Sequence, residues 1–443
     1  MNLEATNPAL WRDAALDWRR WAAAAGRWAA ELTSCAAGLR AVWTGAAADA
    51  LAARIGALVR RLTLFRLGCW AADQALSEFS AALARAKPGA DLAAATAADD
   101  TTAGRLLALF GTAAEPPGID PPSCEAAPAE VARWWAKLSP AHRDWLSATQ
   151  PGWIGSLDGV PAAARDRANR LLIDGLPLGG MLPEDGPRAY VLRVDPAGDG
   201  QAVIALGDPD KAGHVVTNVP GMTADLASYE GELTRAERIA VRAADLAPDR
   251  ATSSIMWLGY DAPDFLGEAA GRSSANAGAT GLRRFQEGLR AAHEGPAARQ
   301  TVVGHSYGSL VVGTAAARPG FHADSLVFVG SPGVGVDSAA RLHAPPGEVW
   351  ASTSRSDVIQ YAAVSPGSLA QDLALSQLRP AGALLAFGRP EDDLFFGVNP
   401  ADPSFGARRF PSQPDAGHLG YWEGPALDAL ATIALGRGDV IPR

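Results

Sequence analysis

The sequence predicts an α/β protein: a mostly parallel sheet with helices on both faces, preceded by an α-helical hairpin. Three observations lead there. Short β-rich runs recur from Tyr190 to Ser352, with helical segments between the later ones. Apolar residues before position 88 recur on a seven-residue grid. A serine flanked by spaced glycines, Gly304-His305-Ser306-Tyr307-Gly308, stands between an apolar strand and a helix.

The grid defines the first segment, residues 1–88. One row is Trp11, Trp18, Ala25, Leu32 and Leu39; the other is Ala14, Trp21, Trp28, Cys35 and Val42. A second stretch repeats it with Leu51, Leu58, Phe65, Ala72 and Phe79 beside Ile55, Leu62, Cys69, Leu76 and Leu83. Steps of three and four residues put each set on one helical stripe. The break at Trp43-Thr44-Gly45 lets the stripes meet antiparallel, as in a piece of coiled coil. Pro8 suits the first turn, and Lys87-Pro88-Gly89 ends the second helix. Leu16, Leu64 and Leu67 are expected on the outer face, where another hairpin or a second copy could pair. Cys35 and Cys69 read as small core residues. Folding at the break leaves them roughly 24 Å out of step, too far for a disulfide.

Residues 89–128 read as a Pro/Ala-rich linker. Glu115-Pro116-Pro117-Gly118-Ile119-Asp120-Pro121-Pro122 can neither continue a helix nor pair as a central strand. Only Arg105 to Phe110 is expected to dock on a neighbour; the rest is expected to be an extended tether. Residues 129–189 form a helical cap or lead-in. Ser139-Pro140 opens one helix and Pro161 to Leu172 is another. Trp145, Trp153 and Ile154 either line a lid over the site or only pack against the sheet.

Residues 190–443 carry the sheet. Tyr190–Val194 and Ala202–Leu206 are expected to pair across Gly198-Asp199-Gly200. His214–Val219, Ser254–Leu258, Gln300–Gly304, Ser325–Val329 and Glu348–Ser352 follow, with helices at Leu282–His293 and Leu310–Ala317. A terminal helix spans Pro425–Leu435.

Composition narrows the function. The 443 residues carry 39 basic and 48 acidic side chains, a net charge of −9. That balance argues against nucleic acid as a partner. Lys87, Lys137 and Lys211 are the only lysines, and Ala is abundant; both fit GC-rich coding, so Ala-rich runs are set aside as structural signals. Three cysteines, Cys35, Cys69 and Cys124, make neither a disulfide framework nor a thiolate zinc site. No apolar run is long enough for a transmembrane segment, and the first residues predict no secretory signal peptide.

The chemistry centres on Ser306. Gly-x-Ser-x-Gly alone is a weak pattern in so glycine-rich a chain. Thr301-Val302-Val303 running in and Leu310-Val311-Val312 running out make it strong. A serine on such a turn is strained and projects its oxygen above the sheet, at a helix start whose N–H groups favour negative charge. It needs a base, and the base needs an orienting acid. Of seven histidines, His142 and His214 precede the serine, His293 is helical, and His322 and His343 lie near the last strands. His305 reads as a packing residue. His418, in Asp415-Ala416-Gly417-His418-Leu419-Gly420-Tyr421 after the last strand, is the candidate base. Asp357, just beyond the strand Val349–Ser352, is the candidate acid. Asp337 competes with it, and Asp392, Asp393 and Asp415 stay open. The oxyanion donors are expected to be the backbone N–H of Tyr307 and of Met222, in Val219-Pro220-Gly221-Met222-Thr223, a stretch that also reads as an ordinary Pro-Gly turn.

Two resemblances add to this. The hairpin with Trp43-Thr44-Gly45 at its tip resembles the WXG superfamily of small helical proteins associated with type VII secretion. That implies export by a type VII-like route, the other expectation being a cytoplasmic protein. Where the superfamily often carries Tyr-x-x-x-Asp/Glu, this chain reads Ser77-Glu78-Phe79-Ser80. Residues 130–435 resemble actinobacterial α/β-hydrolases grouped as a domain of unknown function. The carrying stretches include Leu157-Asp158-Gly159-Val160-Pro161, Val219-Pro220-Gly221-Met222, Trp257-Leu258-Gly259-Tyr260-Asp261, Gly304-His305-Ser306-Tyr307-Gly308-Ser309 and Gly330-Ser331-Pro332-Gly333. The resemblance implies the α/β-hydrolase fold, a serine nucleophile, an acid after a late strand and a C-terminal histidine.

The expected function is a serine hydrolase that cleaves a carboxylic ester through an acyl-enzyme, with Ser306, His418 and Asp357 as its triad. It calls for no cofactor and no metal, and its partner is a small ester or acyl substrate. A peptidase, thioesterase or lactonase would use the same residues. Haloalkane or epoxide chemistry would want a carboxylate at position 306. The alternative is an interaction or secretion-associated protein in which the hairpin works and the hydrolase fold is a platform.

Overall fold

A computed structural model describes residues 7–89, 92–109, 120–123, 125–173, 182–183, 186–263, 271–357 and 393–441, with 269 and 359 as single positions. Residues 1–6, 115–119 and 174–178, with Phe110, Cys124 and Asp392, lie outside the described residues. The chain divides into two compact units, Met1–Val194 and Asp195–Arg443.

In the first unit, α1 (Pro8–Val42) and α2 (Ala46–Gly89) are the two arms of the hairpin. Asn7 caps α1: its side chain accepts from the Ala9 N–H, and Pro8 occupies the first turn. The face that α1 buries matches one expected row, with Trp11 and Trp18 packed on α2 beside buried Ala25, and departs from the other. Ala15, Ala22, Ala25, Gly26 and Ala29 are its buried residues. The row of Trp21, Trp28, Cys35 and Val42 faces solvent instead, with Trp21 54%, Trp28 48% and Val42 84% exposed. Small side chains let two helix backbones approach closely, so alanine in this chain is structural signal as well as compositional background. Leu51 and Leu58 on α2 are also exposed, whereas Leu67, expected outside, is buried. Cys35 is an exposed free thiol and Cys69 a buried one.

Residues 92–107 of the segment expected to be a tether form a helix, α3 (Leu92–Leu107). It packs Ala95 against Phe79 and Leu83 of α2, and Arg105 pairs with Glu78 at 2.6 Å. Four short helices follow: α4 (Pro128–Lys137), α5 (Pro140–Thr149), α6 (Pro151–Ser156) and α7 (Ala162–Arg170). Ile154 is fully buried among Val131, Trp135 and Leu146, with Trp153 packed on the same cluster. These side chains make a core of their own unit.

A buried charge network ties the hairpin to these helices. Asp73 of α2, with no exposed side chain, accepts from Arg19 at 2.8 Å and from Arg188 at 2.7 Å. Arg188 also reaches Asp166 at 2.8 Å, and Asp166 pairs with Arg170 at 2.8 Å and accepts from Gln74 at 2.9 Å. Burial pushes the Asp166 carboxyl up, but Arg170 and Arg188, with the Val191 N–H and Gln74, outweigh it and hold its pKa below the ordinary value. The unit ends in β1 (Ala189–Asp195), whose last residue opens the second unit.

The second unit contains β2 (Gln201–Leu206), β3 (His214–Val219), α8 (Tyr229–Leu246), β4 (Thr252–Leu258), α9 (Ser273–Ala292), β5 (Arg299–His305), α10 (Gly308–Ala316), β6 (Ser325–Val329) and β7 (Val349–Ser352). Two short strands, β8 (Asp393–Leu394) and β9 (Gly397–Val398), pair with each other, and β10 (Arg408–Arg409) joins the main sheet. The order there is β2-β4-β3-β5-β6-β7-β10, with β2 antiparallel to β4 and every later pair parallel. The central strands are buried along their whole length, as a sheet covered on both faces requires. Val303, Val327 and Val329 point to one side, into a core with Ile239 of α8 and with Leu430 and Ile433 of α11 (Gly424–Ala434). α10 crosses the other side, and α9 packs on it.

The register decides where loops emerge. Val219 lies opposite Gly304, His305 opposite Val329, and Val329 opposite Ser352. The connections after β3, β5, β6 and β7 therefore leave from one level, the carboxyl edge of the sheet.

Candidate active site

Ser306 is the first residue beyond β5, with a left-handed φ of 53°. For a residue carrying a Cβ this backbone costs energy and persists only where its surroundings impose it. The surroundings are visible. Ser306 N–H donates to the Val329 carbonyl of β6 at 3.1 Å, and α10 begins two residues later. A methyl at Gly308 would fall 2.3 Å from the Val219 carbonyl oxygen, and one at Gly304 would fall 2.7 Å from the Ser309 α-carbon. Both glycines are there because strand, turn and helix pass too close for side chains.

Asp357 follows β7 and is completely buried. His418 sits on a 3₁₀ helix, Gly417–Trp422, after the last strand. The two meet across 61 residues: His418 Nδ1 is 2.9 Å from Asp357 Oδ1 and 3.0 Å from Oδ2. A carboxylate can only accept, so Nδ1 carries the proton and the Nε2 lone pair is left free to take another. Tyr421 O–H donates to Asp357 Oδ2 at 2.6 Å, and the Ile359 N–H donates to Oδ1 at 2.9 Å. Burial is the largest influence on Asp357 and pushes its pKa up. The donors from His418, Tyr421 and Ile359 together outweigh it and hold the group below the usual carboxylate range.

His305 supports this arrangement from beneath. Its ring lies 4.7 Å from that of His418 and meets Trp422 edge-on at 4.8 Å. Its Nε2 is 3.0 Å from the His418 carbonyl oxygen. Burial above all, then the neighbouring His418 and Arg235, lower its pKa well below that of a free histidine. The ring is therefore neutral, with its proton on Nε2 and, among the described residues, no partner for its buried Nδ1. It packs and hydrogen-bonds, as its place in the sequence predicted.

The structure brings Ser306, His305, Gly330, Asp357 and His418 to one edge. A methyl built on Gly330 would lie 2.8 Å from Asp357 Oδ2 and 3.1 Å from His418 Cε1. Among the described residues Ser306 Oγ and the His418 ring share no hydrogen bond, so this link of a relay is not closed. Such contacts are often long without substrate. Pro220-Gly221-Met222 approaches from β3: a methyl on Gly221 would sit 2.6 Å from Ser306 Cβ. Among the described residues neither the Tyr307 nor the Met222 N–H donates to another group. Beside Met222, Thr223 has a left-handed φ of 64°, held by its N–H donating to the Pro263 carbonyl at 2.9 Å. Tyr260, buried, donates to the Pro220 carbonyl at 2.7 Å and anchors the same loop.

Asp337 lies against Gly397 of β9, and Asp415 is exposed. His142 Nδ1 shares a hydrogen bond with the hydroxyl of Ser139, which caps α5, His293 faces the Pro209 carbonyl, and His214 begins β3 at the opposite edge of the sheet. Among the described residues no cluster of His, Cys, Asp and Glu could hold a metal, and no helix is long and apolar enough to cross a membrane. Tyr421, Tyr260 and Thr223 were not foreseen. The one available signal was the spacing of Tyr421, three residues after His418, which aligns the two side chains only on a 3₁₀ helix.

Comparison with known proteins gives the family of the chain. A family described as alpha/beta hydrolase matches residues 195–366. An uncharacterized protein of Mycobacterium tuberculosis is 32% identical over 400 residues, covering 74% of this chain and 58% of that protein. An uncharacterized protein of Mycobacterium bovis is 34% identical over 217 residues, covering 46% of this chain and 78% of that protein. The chain thus spans little more than half the length of the larger relative. Among solved structures, a highly thermostable carboxyl esterase from Bacillus coagulans, in complex with glycerol, is similar with a TM-score of 0.21 and 14% identity. That match covers 45% of this chain and 52% of the esterase, and a likeness so slight carries no argument.

Proposed function

The chain belongs to the actinobacterial α/β-hydrolase family of these mycobacterial proteins, and from that premise we propose that it is a serine hydrolase cleaving a carboxylic ester through an acyl-enzyme. One observation carries the reading: a buried carboxylate holds the imidazole of His418 beside the strained turn of Ser306. In the proposed reaction His418 Nε2 takes the Ser306 hydroxyl proton as Oγ attacks the ester carbonyl. The new oxyanion lies against the unengaged N–H groups of Tyr307 and Met222. Its collapse expels the alcohol, which takes the proton from His418. Water, deprotonated by the same ring, then releases the acid and restores Ser306. Asp357, held ionised, stabilises the imidazolium that forms in each half.

The test is labelling with a fluorophosphonate, followed by a series of p-nitrophenyl esters of rising chain length. Modification of Ser306 and turnover of one ester range support the proposal. A folded protein that is labelled nowhere, or at another residue, refutes it. Labelled protein that turns over only thioesters, lactones or peptides keeps the mechanism and corrects the substrate.

A second reading gives the working role to the hairpin, with the hydrolase fold as platform. It is favoured by the solvent-facing row of Trp21, Trp28 and Val42. Absence of labelling at Ser306 in folded protein is its distinguishing outcome.

A further inference from the structure

We propose that Tyr421 is a positioning residue for the reaction, which clamps Asp357 and thereby fixes the carboxylate that faces the His418 imidazole. This deepens the triad reading and rests on it.

Asp357 has two oxygens, and each takes a donor besides His418. Ile359 N–H donates to Oδ1 at 2.9 Å and Tyr421 O–H to Oδ2 at 2.6 Å. A donor on each oxygen prevents rotation about the Cβ–Cγ bond, so the edge facing His418 Nδ1 keeps its direction. The phenol is itself oriented. Ser354 N–H donates to the Tyr421 oxygen at 2.9 Å, which occupies a lone pair and leaves the hydroxyl proton to point at Oδ2. Tyr421 is 1% exposed, so no water competes for that contact. Burial and then the Asp357 charge raise the phenol pKa, which keeps it a donor throughout the working pH range.

The placement also matters. His418 and Tyr421 are three residues apart on the 3₁₀ helix Gly417–Trp422, and on such a helix those positions eclipse. One short rigid element therefore presents both the base and the group that fixes its acid. Among the described residues, the other ionisable groups near the pair are His305 at the end of β5 and Arg235 of α8, whose guanidinium lies 4.7 Å over the Trp422 ring. Neither touches the Tyr421 hydroxyl.

A phenol hydrogen bond draws charge from the carboxylate. Without it Asp357 is the more strongly charged partner of the imidazolium. Tyr421→Phe is therefore expected to move the acid limb of kcat/KM upward by about half a pH unit, to lower kcat roughly tenfold, and to leave KM near its wild-type value. Wild type and variant are compared with a short p-nitrophenyl ester and with the pH dependence of fluorophosphonate labelling. Site-specific 3,5-difluorotyrosine at 421 keeps shape and hydroxyl but donates more strongly, so it should move the limb downward even if Tyr421→Phe does not fold. Opposite displacements, or the downward one alone where Tyr421→Phe does not fold, support the proposal. A wild-type protein labelled at Ser306 whose limb stays put in the folded variants overturns the role of Tyr421 alone. A wild-type protein unlabelled at Ser306 overturns the triad reading and this role with it.

Discussion

The imidazole of His305 lies 4.7 Å from the imidazole of His418, and its Nε2 donates to the His418 carbonyl oxygen at 3.0 Å. The residue before the candidate nucleophile thus supports the backbone of the candidate base, 113 positions later. Because burial and the charges around it depress the His305 pKa, this contact has a pH dependence. The unfolded chain, with a histidine pKa near 6.5, takes up the proton first as pH falls. Stability is then whole above about pH 6.5 and declines below it until His305 protonates in the folded state. The decline is at most about 1.4 kcal/mol per pH unit from this group. His214 is lowered in the same direction, so the informative comparison is with His305→Gln. Urea midpoints from pH 7 to pH 5 should fall less steeply in the variant; equal slopes would contradict the assignment.

Ser306→Ala should remove fluorophosphonate labelling and cut ester turnover by about a thousandfold or more, while the thermal midpoint stays close to wild type. The side chain is small and its hydroxyl has no bond to lose to His418. Turnover at the wild-type rate would show that another group attacks the ester.

Asp357→Asn keeps the shape of the acid but offers an amide to His418. The imidazole is then free to adopt the wrong tautomer, and kcat is expected to fall roughly a thousandfold or more. The loss should be larger in kcat than in KM. The depressed carboxyl pKa adds a stability consequence: the charge contributes fully above about pH 4 and is lost as pH falls through the folded value. Stability curves of wild type and variant should therefore converge at the most acidic pH.

Gly221→Ala tests the approach of the β3 loop. The added methyl would lie 2.6 Å from Ser306 Cβ and 3.1 Å from its Oγ, so the loop must retreat. Met222 N–H retreats with it. Removing one oxyanion donor costs about a hundredfold or more in kcat, and that is the loss expected here. A variant with wild-type kcat would remove Met222 from the oxyanion site.

In the first unit, Asp73→Ala leaves Arg188 buried beside one carboxylate instead of two. Breaking one partner of a buried pair typically costs about 3–5 kcal/mol. A thermal melt of the whole protein should show a lower first transition. An unchanged melt would mean that the hairpin is held by its apolar contacts alone.

Several elements are legible in the sequence. The alternation of β-rich runs and helices predicted the parallel sheet, and each run forms a strand. Local chemistry at Gly304–Gly308 predicted a strand, a tight turn and a helix, because two glycines around a serine suit a close crossing. Chain order and strand-end position singled out His418 and Asp357, and the structure joins those two side chains. Other features were not readable. Of the two rows expected to be buried on α1, Trp11, Trp18 and Ala25 of one pack on α2, whereas Trp21, Trp28, Cys35 and Val42 of the other face solvent and Ala15, Ala22, Gly26 and Ala29 are buried instead: hydrophobicity ranks side chains, whereas helix packing there depends on how near two backbones can come. The α3 helix lies in a stretch whose alanines had been set aside and whose prolines come only afterwards.

Sequence by itself determined the strand-and-helix alternation and the residue types with reactive groups, since propensity, turn chemistry and chain order act locally. Tertiary structure decided which of those groups meet. The clamp of Tyr421 on Asp357, the support of His418 by His305 and the pairing of Asp73 with Arg188 join residues 64, 113 and 115 positions apart. No local pattern records such pairs, because they arise from strand register and from the burial of charges that must find partners once water is excluded.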